Sequence, residues 1–179
     1  CLAALAAERT HPESGSVPFE ILVVDNGSRH PPTAACAAHP GIRLLSEPTP
    51  GPGPARTTGA RAAAAPVIAF IDADVFAEPG WIAAIDRAFA DEAAQVIGGD
   101  IRIAPADPAR LTMVEAYESV FGYRQQLYIT RDGYAATANM ALRRAVFDAV
   151  GPFAGLRAPR VRGSRAGPSP HLSVRRPPR

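Results

Sequence analysis

Short, continuous apolar runs recur along the chain, and each gives way to a polar or Gly/Pro-rich turn. Runs of this kind, rich in β-branched residues, are typical of strands that are buried on both faces of a parallel sheet. The pattern predicts strands over residues 19–25, 42–46, 67–71, 95–103 and 139–143.

The stretches between these runs are spaced as helices or are rich in alanine. Pro79 suits the first turn of a helix, and the aromatic stripe of Tyr117, Phe121 and Tyr128 is expected to face the core. Strand and helix therefore alternate, which predicts an α/β fold with a mostly parallel sheet and ligands at the carboxyl ends of its strands. The predicted helices span residues 2–8, 33–39, 55–65, 78–91, 111–128 and 144–150.

Two of the predicted strands end in acidic residues. Asp25 closes "ILVVD", and Asp72 and Asp74 follow the apolar part of "VIAFIDADVF". In an open α/β sheet these strand ends form one crevice, where a divalent cation with phosphate oxygens around it would offset the repulsion between carboxylates. The alternative is that each aspartate caps a turn or a helix.

Several nucleotide and phosphate motifs can be tested against the chain. It contains no Lys, which excludes a P-loop, and "GPGPAR" carries Arg56 where a dinucleotide fingerprint needs its third Gly. The stretch "FIDADV" resembles the opening motif of haloacid-dehalogenase-type phosphatases. That motif usually lies near the start of a chain, whereas here two predicted strands precede it.

Four stretches in order carry a more specific resemblance: "ILVVDNGS", "GPGPARTTGARAA", "VIAFIDADVFAEPGWI" and "NMALRRAVFDAVGPF". Together they cover most of residues 19–154, and the chain resembles the inverting family 2 glycosyltransferases of the GT-A fold. The resemblance implies a nucleotide-binding α/β sandwich with a mostly parallel central sheet and helices on both faces. It implies transfer of a sugar from a nucleotide-diphosphate-sugar donor to an acceptor hydroxyl with inversion.

The resemblance also implies a role for individual residues. Asp25, Arg56, Asp72 and Asn139 would contact the nucleotide-sugar, and Asp74 with Asp72 would bind Mn²⁺ or Mg²⁺ on the diphosphate. A metal there would neutralise charge that builds on the leaving group. For Arg56 the alternative is a solvated helix residue.

Two parts of the family pattern are expected to be absent. The first strand would precede Leu2, and the catalytic base is expected beyond Phe153, so the catalytic residue is unassigned and the fragment is expected to be inactive. One alternative is a non-catalytic remnant that binds a nucleotide-sugar. A second alternative, which the motifs favour less, is the phosphatase. Residues 1–154 are expected to form a partial GT-A domain and residues 155–179 a disordered basic tail.

Charge and hydropathy limit the partners. Residues 155–179 hold seven Arg and no acid. Residues 1–154 hold twelve Arg and seventeen acids, and their net charge of −5 argues against nucleic-acid binding as the main function. No apolar run approaches the roughly 20 residues of a membrane-spanning helix. We expect a cytoplasmic protein, with room for peripheral association at the cytoplasmic face of a membrane. The acceptor would be a saccharide, a lipid-linked glycan or another hydroxyl compound.

Overall fold

A computed structural model describes residues 1–153 and the backbone of residues 165–176. Helices and strands alternate through most of the chain, as the apolar pattern predicts. The helices are α1 Leu2–Ala7, α2 Thr33–Ala37, α3 Pro52–Ala62, α4 Trp81–Phe89, α5 Met113–Phe121, α6 Gln125–Leu127 and α7 Arg144–Val150, with a 3₁₀ turn at Glu8–Thr10 and a π-helical turn at Tyr128–Asp132. The strands are β1 Ile21–Asp25, β2 Ile42–Ser46, β3 Val67–Ile71, β4 Phe76–Ala77, β5 Ala94–Ile103, β6 Asn139–Arg143 and β7 Arg165–Arg176.

The strands form two sheets. β1 and β2 pair in parallel, and the second sheet has the order β3-β6-β5-β7-β4. β6 runs antiparallel to both β3 and β5, and β4 runs antiparallel to β7, so the expected α/β class is confirmed but the larger sheet is mixed rather than mostly parallel. An apolar run marks a strand without marking its direction, which is why the sequence pattern did not show these reversals.

β1 and β3 belong to different sheets, and α3 is the helix that leads towards β3. In the described part of the chain, β1 pairs only with β2 and β3 pairs only with β6. Each of these two strands therefore has one edge without a neighbouring strand among the described residues, and the sheet is open.

Helices cover both faces of the larger sheet, as expected. On one face α1 and α4 pack through buried side chains that include Leu5, Trp81 and Ile85. On the other face Ala60 of α3 and Phe147 of α7 lie in a second apolar cluster. This layering gives the chain two cores, one on each side of the strands.

A buried carboxylate holds the start of α4. Glu8 is 2% exposed and accepts hydrogen bonds from the backbone N–H of Gly80 at 2.9 Å and of Ile82 at 3.0 Å. Ser14 donates its hydroxyl to Glu8 at 2.6 Å and accepts from the N–H of Ala83 at 3.2 Å. The N-terminal segment therefore supplies the cap that α4 lacks in its own sequence.

The aromatic stripe of the predicted helix over 111–128 does not face the core. Tyr117 is 65% exposed and Phe121 is 50% exposed, and the helix ends at Phe121 instead of continuing to Tyr128. The reason is that Glu115 occupies the inward face, at 4% exposure. No helix in the described part of the chain is both long and apolar enough to cross a bilayer.

The prediction that residues 155–179 are disordered is wrong for twelve of them. Arg165–Arg176 forms β7, which pairs in parallel with β5 and antiparallel with β4. The edge of β5 offers unpaired backbone N–H and C=O groups that an added strand satisfies whatever its side chains are. Residues 154–164 and 177–179 lie outside the described part of the chain, and the division at residue 154 stays a prediction.

Candidate functional site

The first acidic strand end forms a turn. The Oδ1 atom of Asp25, at the end of β1, accepts a hydrogen bond from the backbone N–H of Ser28 at 3.2 Å. Gly27, inside this turn, has φ +74°, a conformation that glycine adopts without steric cost. Asp25 is half-buried, so its carboxylate shapes the turn and remains within reach of solvent.

Asn26, a residue that the sequence analysis did not single out, ties this turn to the Pro/Gly loop before α3. Its Nδ2 donates to the carbonyl oxygens of Glu47 at 2.8 Å and Thr49 at 2.7 Å, and its Oδ1 accepts from the N–H of Gly51 at 2.8 Å. Gly51 has φ +118° and immediately precedes α3. The signal that could have identified Asn26 is the Pro/Gly loop. Its prolines have no N–H to donate, so a nearby side-chain amide is needed to bond the other backbone groups of the loop.

Arg56 and Asp72, both predicted to contact the nucleotide-sugar, lie next to each other. The Nη2 atom of Arg56, on α3, lies 3.4 Å from Oδ1 of Asp72, directly after β3. The side chains are 26% and 33% exposed. The pair is long and single rather than bidentate, so the guanidinium keeps N–H groups that an anion can bind.

Asp74 lies on a tight turn that begins at Asp72. The N–H of Val75 donates to the carbonyl of Asp72 at 3.0 Å, and Val75 itself is fully buried, which anchors the turn. Asp74 is exposed. Asp72 thus contacts Arg56, while Asp74 lies two residues further along the same turn.

These two carboxylates are an incomplete metal site by themselves. Within the described residues no group of three or more His, Cys, Asp or Glu side chains is arranged to hold a metal ion. Carboxylate oxygens are nevertheless the ligands that Mg²⁺ and Mn²⁺ favour, and Mg²⁺ is commonly bound by one or two carboxylates together with substrate phosphates. Asp72 and Asp74 fit that partial donor set.

Glu47 is a further acid that the sequence analysis missed. Its carboxylate accepts hydrogen bonds from the Thr58 hydroxyl at 2.5 Å and from the N–H of Thr49 at 2.7 Å. The Thr58 hydroxyl, followed by the Thr49 backbone N–H, lowers the pKa of Glu47. Glu47 therefore joins the loop to α3, the helix that carries Arg56.

Asn139 occupies a different environment from the one predicted for a donor-binding residue. It is fully buried at the start of β6, its Oδ1 accepts from Trp81 Nε1 at 3.0 Å, and its Nδ2 donates to the carbonyl of Asp100 at 2.8 Å. Trp81 is 3% exposed and packs α4 on the sheet. Contact between Asn139 and a donor stays a prediction, and the structure gives the residue a buried bridging role beside Ile71, its partner in the β3–β6 register.

Three further carboxylates of the described chain, Asp100, Asp132 and Asp148, are candidate acceptor bases. Asp100 lies 2.8 Å from Nε of Arg102, and Asp132 lies 2.8 Å from Nε of Arg131. Asp148 is exposed on α7. None of the three is hydrogen-bonded to Arg56 or Asp72, so the catalytic residue remains unassigned.

The alternating helices and strands, with acidic residues at two strand ends, define an α/β domain. Residues 1–151 match the family model described as glycosyl transferase family 2, and the chain belongs to that family. The match includes "FIDADV", so the phosphatase alternative has no support.

Two curated relatives are similar in sequence. Glycosyltransferase AglE of Haloferax volcanii is 28% identical over 158 residues, which cover 86% of this chain and 50% of AglE. An uncharacterized glycosyltransferase of Mycobacterium bovis is 46% identical over 56 residues, which cover 31% of this chain and 25% of that protein. The chain thus spans about half the length of AglE.

Solved structures share the fold. The mannosyltransferase PcManGT of Pyrobaculum calidifontis, in complex with GDP-Man and Mn²⁺, has a TM-score of 0.63 at 18% identity, over 87% of this chain and 47% of that one. Glucosyl-3-phosphoglycerate synthase of Mycobacterium tuberculosis, in complex with Mn²⁺ and UDP-glucose, has a TM-score of 0.57 at 19% identity, over 85% and 54% of the two chains. At this identity the likeness establishes the GT-A type of fold.

Proposed function

We propose that the described residues are the donor-binding part of an enzyme that transfers a sugar from a nucleotide-diphosphate-sugar to an acceptor hydroxyl with inversion. The observation that carries this proposal is the placement of Arg56 against Asp72, at the turn that also bears Asp74. A diphosphate needs positive charge, and this corner combines one guanidinium with two carboxylates that suit a divalent cation.

The supporting residues fit the same purpose. Asn26 and Glu47 fix the loop and the helix that present Arg56, while Asp25 lies next to Asn26 at the end of β1. A site that holds a charged ligand benefits from such fixed supports, because loosely held groups lose conformational entropy when they bind. A divalent cation, when bound, would supply charge neutralisation for the leaving diphosphate.

A mannosyl- and a glucosyltransferase of similar fold are described with Mn²⁺ and a nucleotide-sugar, which makes Mn²⁺ the first metal to test. We further propose that none of Asp100, Asp132 and Asp148 is the acceptor base, and that residues 1–153 bind donor without turning it over. The second candidate, a nucleotide-sugar-binding remnant without transfer, has the same donor site and differs only in turnover.

The test has two readouts. Calorimetric titration with UDP-glucose and with GDP-mannose, each with and without MnCl₂, measures donor binding. Release of nucleoside diphosphate from the same mixtures, with a panel of saccharide and lipid-linked acceptors, measures turnover. Metal-dependent binding is expected for at least one donor. Absence of binding to both would contradict the donor site, and transfer by this chain would contradict the proposal that it binds donor without turning it over.

A further inference from the structure

α5 exposes its apolar side to solvent. Met113 is 90% exposed, Tyr117 65%, Val120 60% and Phe121 50%. These four positions are spaced so that they form one stripe along a helix, which we name the α5 stripe. A continuous apolar surface of this kind marks an interaction site more often than scattered surface residues do.

The orientation of α5 is fixed by polar contacts on its inner side. Glu115 is 4% exposed and accepts hydrogen bonds from the N–H of Thr112 at 2.8 Å and from the N–H of Ala106 at 3.0 Å. Thr112 and Glu115 also form a capping box at the start of the helix. Glu115 therefore marks the buried side of α5, opposite the stripe, and its bond from Ala106 ties the helix to the segment that precedes it.

We infer that the α5 stripe is a docking surface for an anionic lipid surface. Arg110 lies three residues before the helix and Arg124 three residues after it, and both are exposed. The Arg124 guanidinium carbon lies 5.9 Å from the centroid of the Phe121 ring. An apolar stripe with aromatic side chains suits burial in the membrane interface, and the basic residues that flank α5 suit an anionic surface.

The charges favour lipid over a second copy of the chain. If two copies of α5 packed antiparallel about a two-fold axis, Arg110 of one would lie near Arg124 of the other, and like charges would repel. An anionic surface would attract both. Glu118, the other acid of α5, follows Tyr117 by one residue and so points about 100° away from it around the helix.

The experiment is co-sedimentation of the full chain with phosphatidylcholine vesicles that contain or lack phosphatidylglycerol. We expect the parent chain to bind the anionic vesicles. Binding should weaken about tenfold or more in Met113→Ser/Phe121→Ser, because the substituted chain buries less apolar surface in the lipid. Arg110→Gln/Arg124→Gln should weaken it roughly 30-fold, since each basic residue contributes about 1 kcal/mol near an anionic surface.

The controls separate the α5 stripe from other basic and apolar groups. Residues 155–179 hold seven Arg, so all variants keep that segment unchanged. Val150→Ser, at a site 49% exposed on α7, and Arg61→Gln, on α3, should leave binding unchanged. Circular dichroism checks that each variant folds.

Three outcomes would overturn the inference: no binding to anionic vesicles, binding that the stripe variants leave unchanged, or a concentration-dependent dimer in light scattering that Met113→Ser/Phe121→Ser abolishes. None of these outcomes depends on donor binding or transfer, so this inference can fail while the proposed function holds.

Discussion

Nη2 of Arg56 lies 3.4 Å from Oδ1 of Asp72, which brings α3 and the end of β3 together at one corner of the sheet. Sixteen residues separate the two in the chain. The contact joins two motifs, the Gly/Pro loop with its helix and the strand with its acidic turn, that the sequence presents separately. In our account this corner is where the diphosphate of a donor binds.

Arg56→Gln should weaken nucleoside diphosphate binding about tenfold to hundredfold, because a charged hydrogen bond contributes roughly 1.5–3 kcal/mol. Stability should change by no more than about 1 kcal/mol, since the ion pair is partly exposed. Calorimetry with UDP and GDP measures the first effect and urea unfolding the second. Arg61→Gln, on the same helix, is the matched control. A variant that loses stability but keeps its affinity would assign Arg56 a structural role only.

Glu8→Ala should destabilise the fold by about 2–4 kcal/mol. It removes the buried carboxylate that accepts from the N–H groups of Gly80 and Ile82, and these donors have no route to water. Glu13→Ala, which breaks an exposed contact with Arg87, should cost less than about 0.5 kcal/mol. Urea unfolding compares the two. Equal costs would mean that the cap of α4 contributes nothing.

Asn139→Ala should change the environment of Trp81, the only tryptophan of the chain. The substitution leaves the indole N–H and the carbonyl of Asp100 unpaired, at a cost of about 2–3 kcal/mol. A shift in tryptophan emission, with donor affinity intact at low temperature, is expected if the buried bridge is the main role. A large loss of donor affinity without any emission change would instead favour direct contact with the donor. The control is Gln126→Ala at an exposed position.

Glu47 should make stability depend on acid pH. Hydrogen bonds from Thr58 and then Thr49 lower its pKa below the usual 4.5. Its stabilising contribution is therefore complete above the unfolded-state value and is lost as the pH falls from about 4.5 through the lower folded-state value. Glu47→Gln should be less stable than the parent at pH 7, with a difference that shrinks towards pH 3. A constant difference across that range, or the same behaviour in Glu92→Gln, would contradict this assignment.

The sequence predicted much of the fold because most strands are continuous apolar runs. β2, β3 and β6 begin and end where the pattern places them. Strand direction was not predictable from it, and the antiparallel β6 shows why: burial on both faces produces an apolar run whichever way the strand runs. The two-residue β4 is too short to leave a pattern.

Arg56 and Asp72 lie together because a loop and a strand end converge. The resemblance had named both residues, and their contact with a donor stays a prediction. Asn26 and Glu47 were not identified, since their partners are backbone atoms and a threonine on other segments. The exposed Tyr117 was misread for a related reason: helical spacing shows that a stripe exists, and only the inward hydrogen bonds of Glu115 show which side faces the protein.

The most direct test of the account is the metal dependence of nucleoside diphosphate binding in Asp74→Asn. We predict that Mn²⁺ strengthens binding of UDP or GDP to the parent chain and to the control Asp86→Asn, an exposed substitution on α4. In Asp74→Asn the effect of Mn²⁺ should disappear while weak metal-free binding remains, because one of the two carboxylate ligands is lost. Binding to Asp74→Asn that Mn²⁺ strengthens as much as in the parent would contradict the proposed donor site.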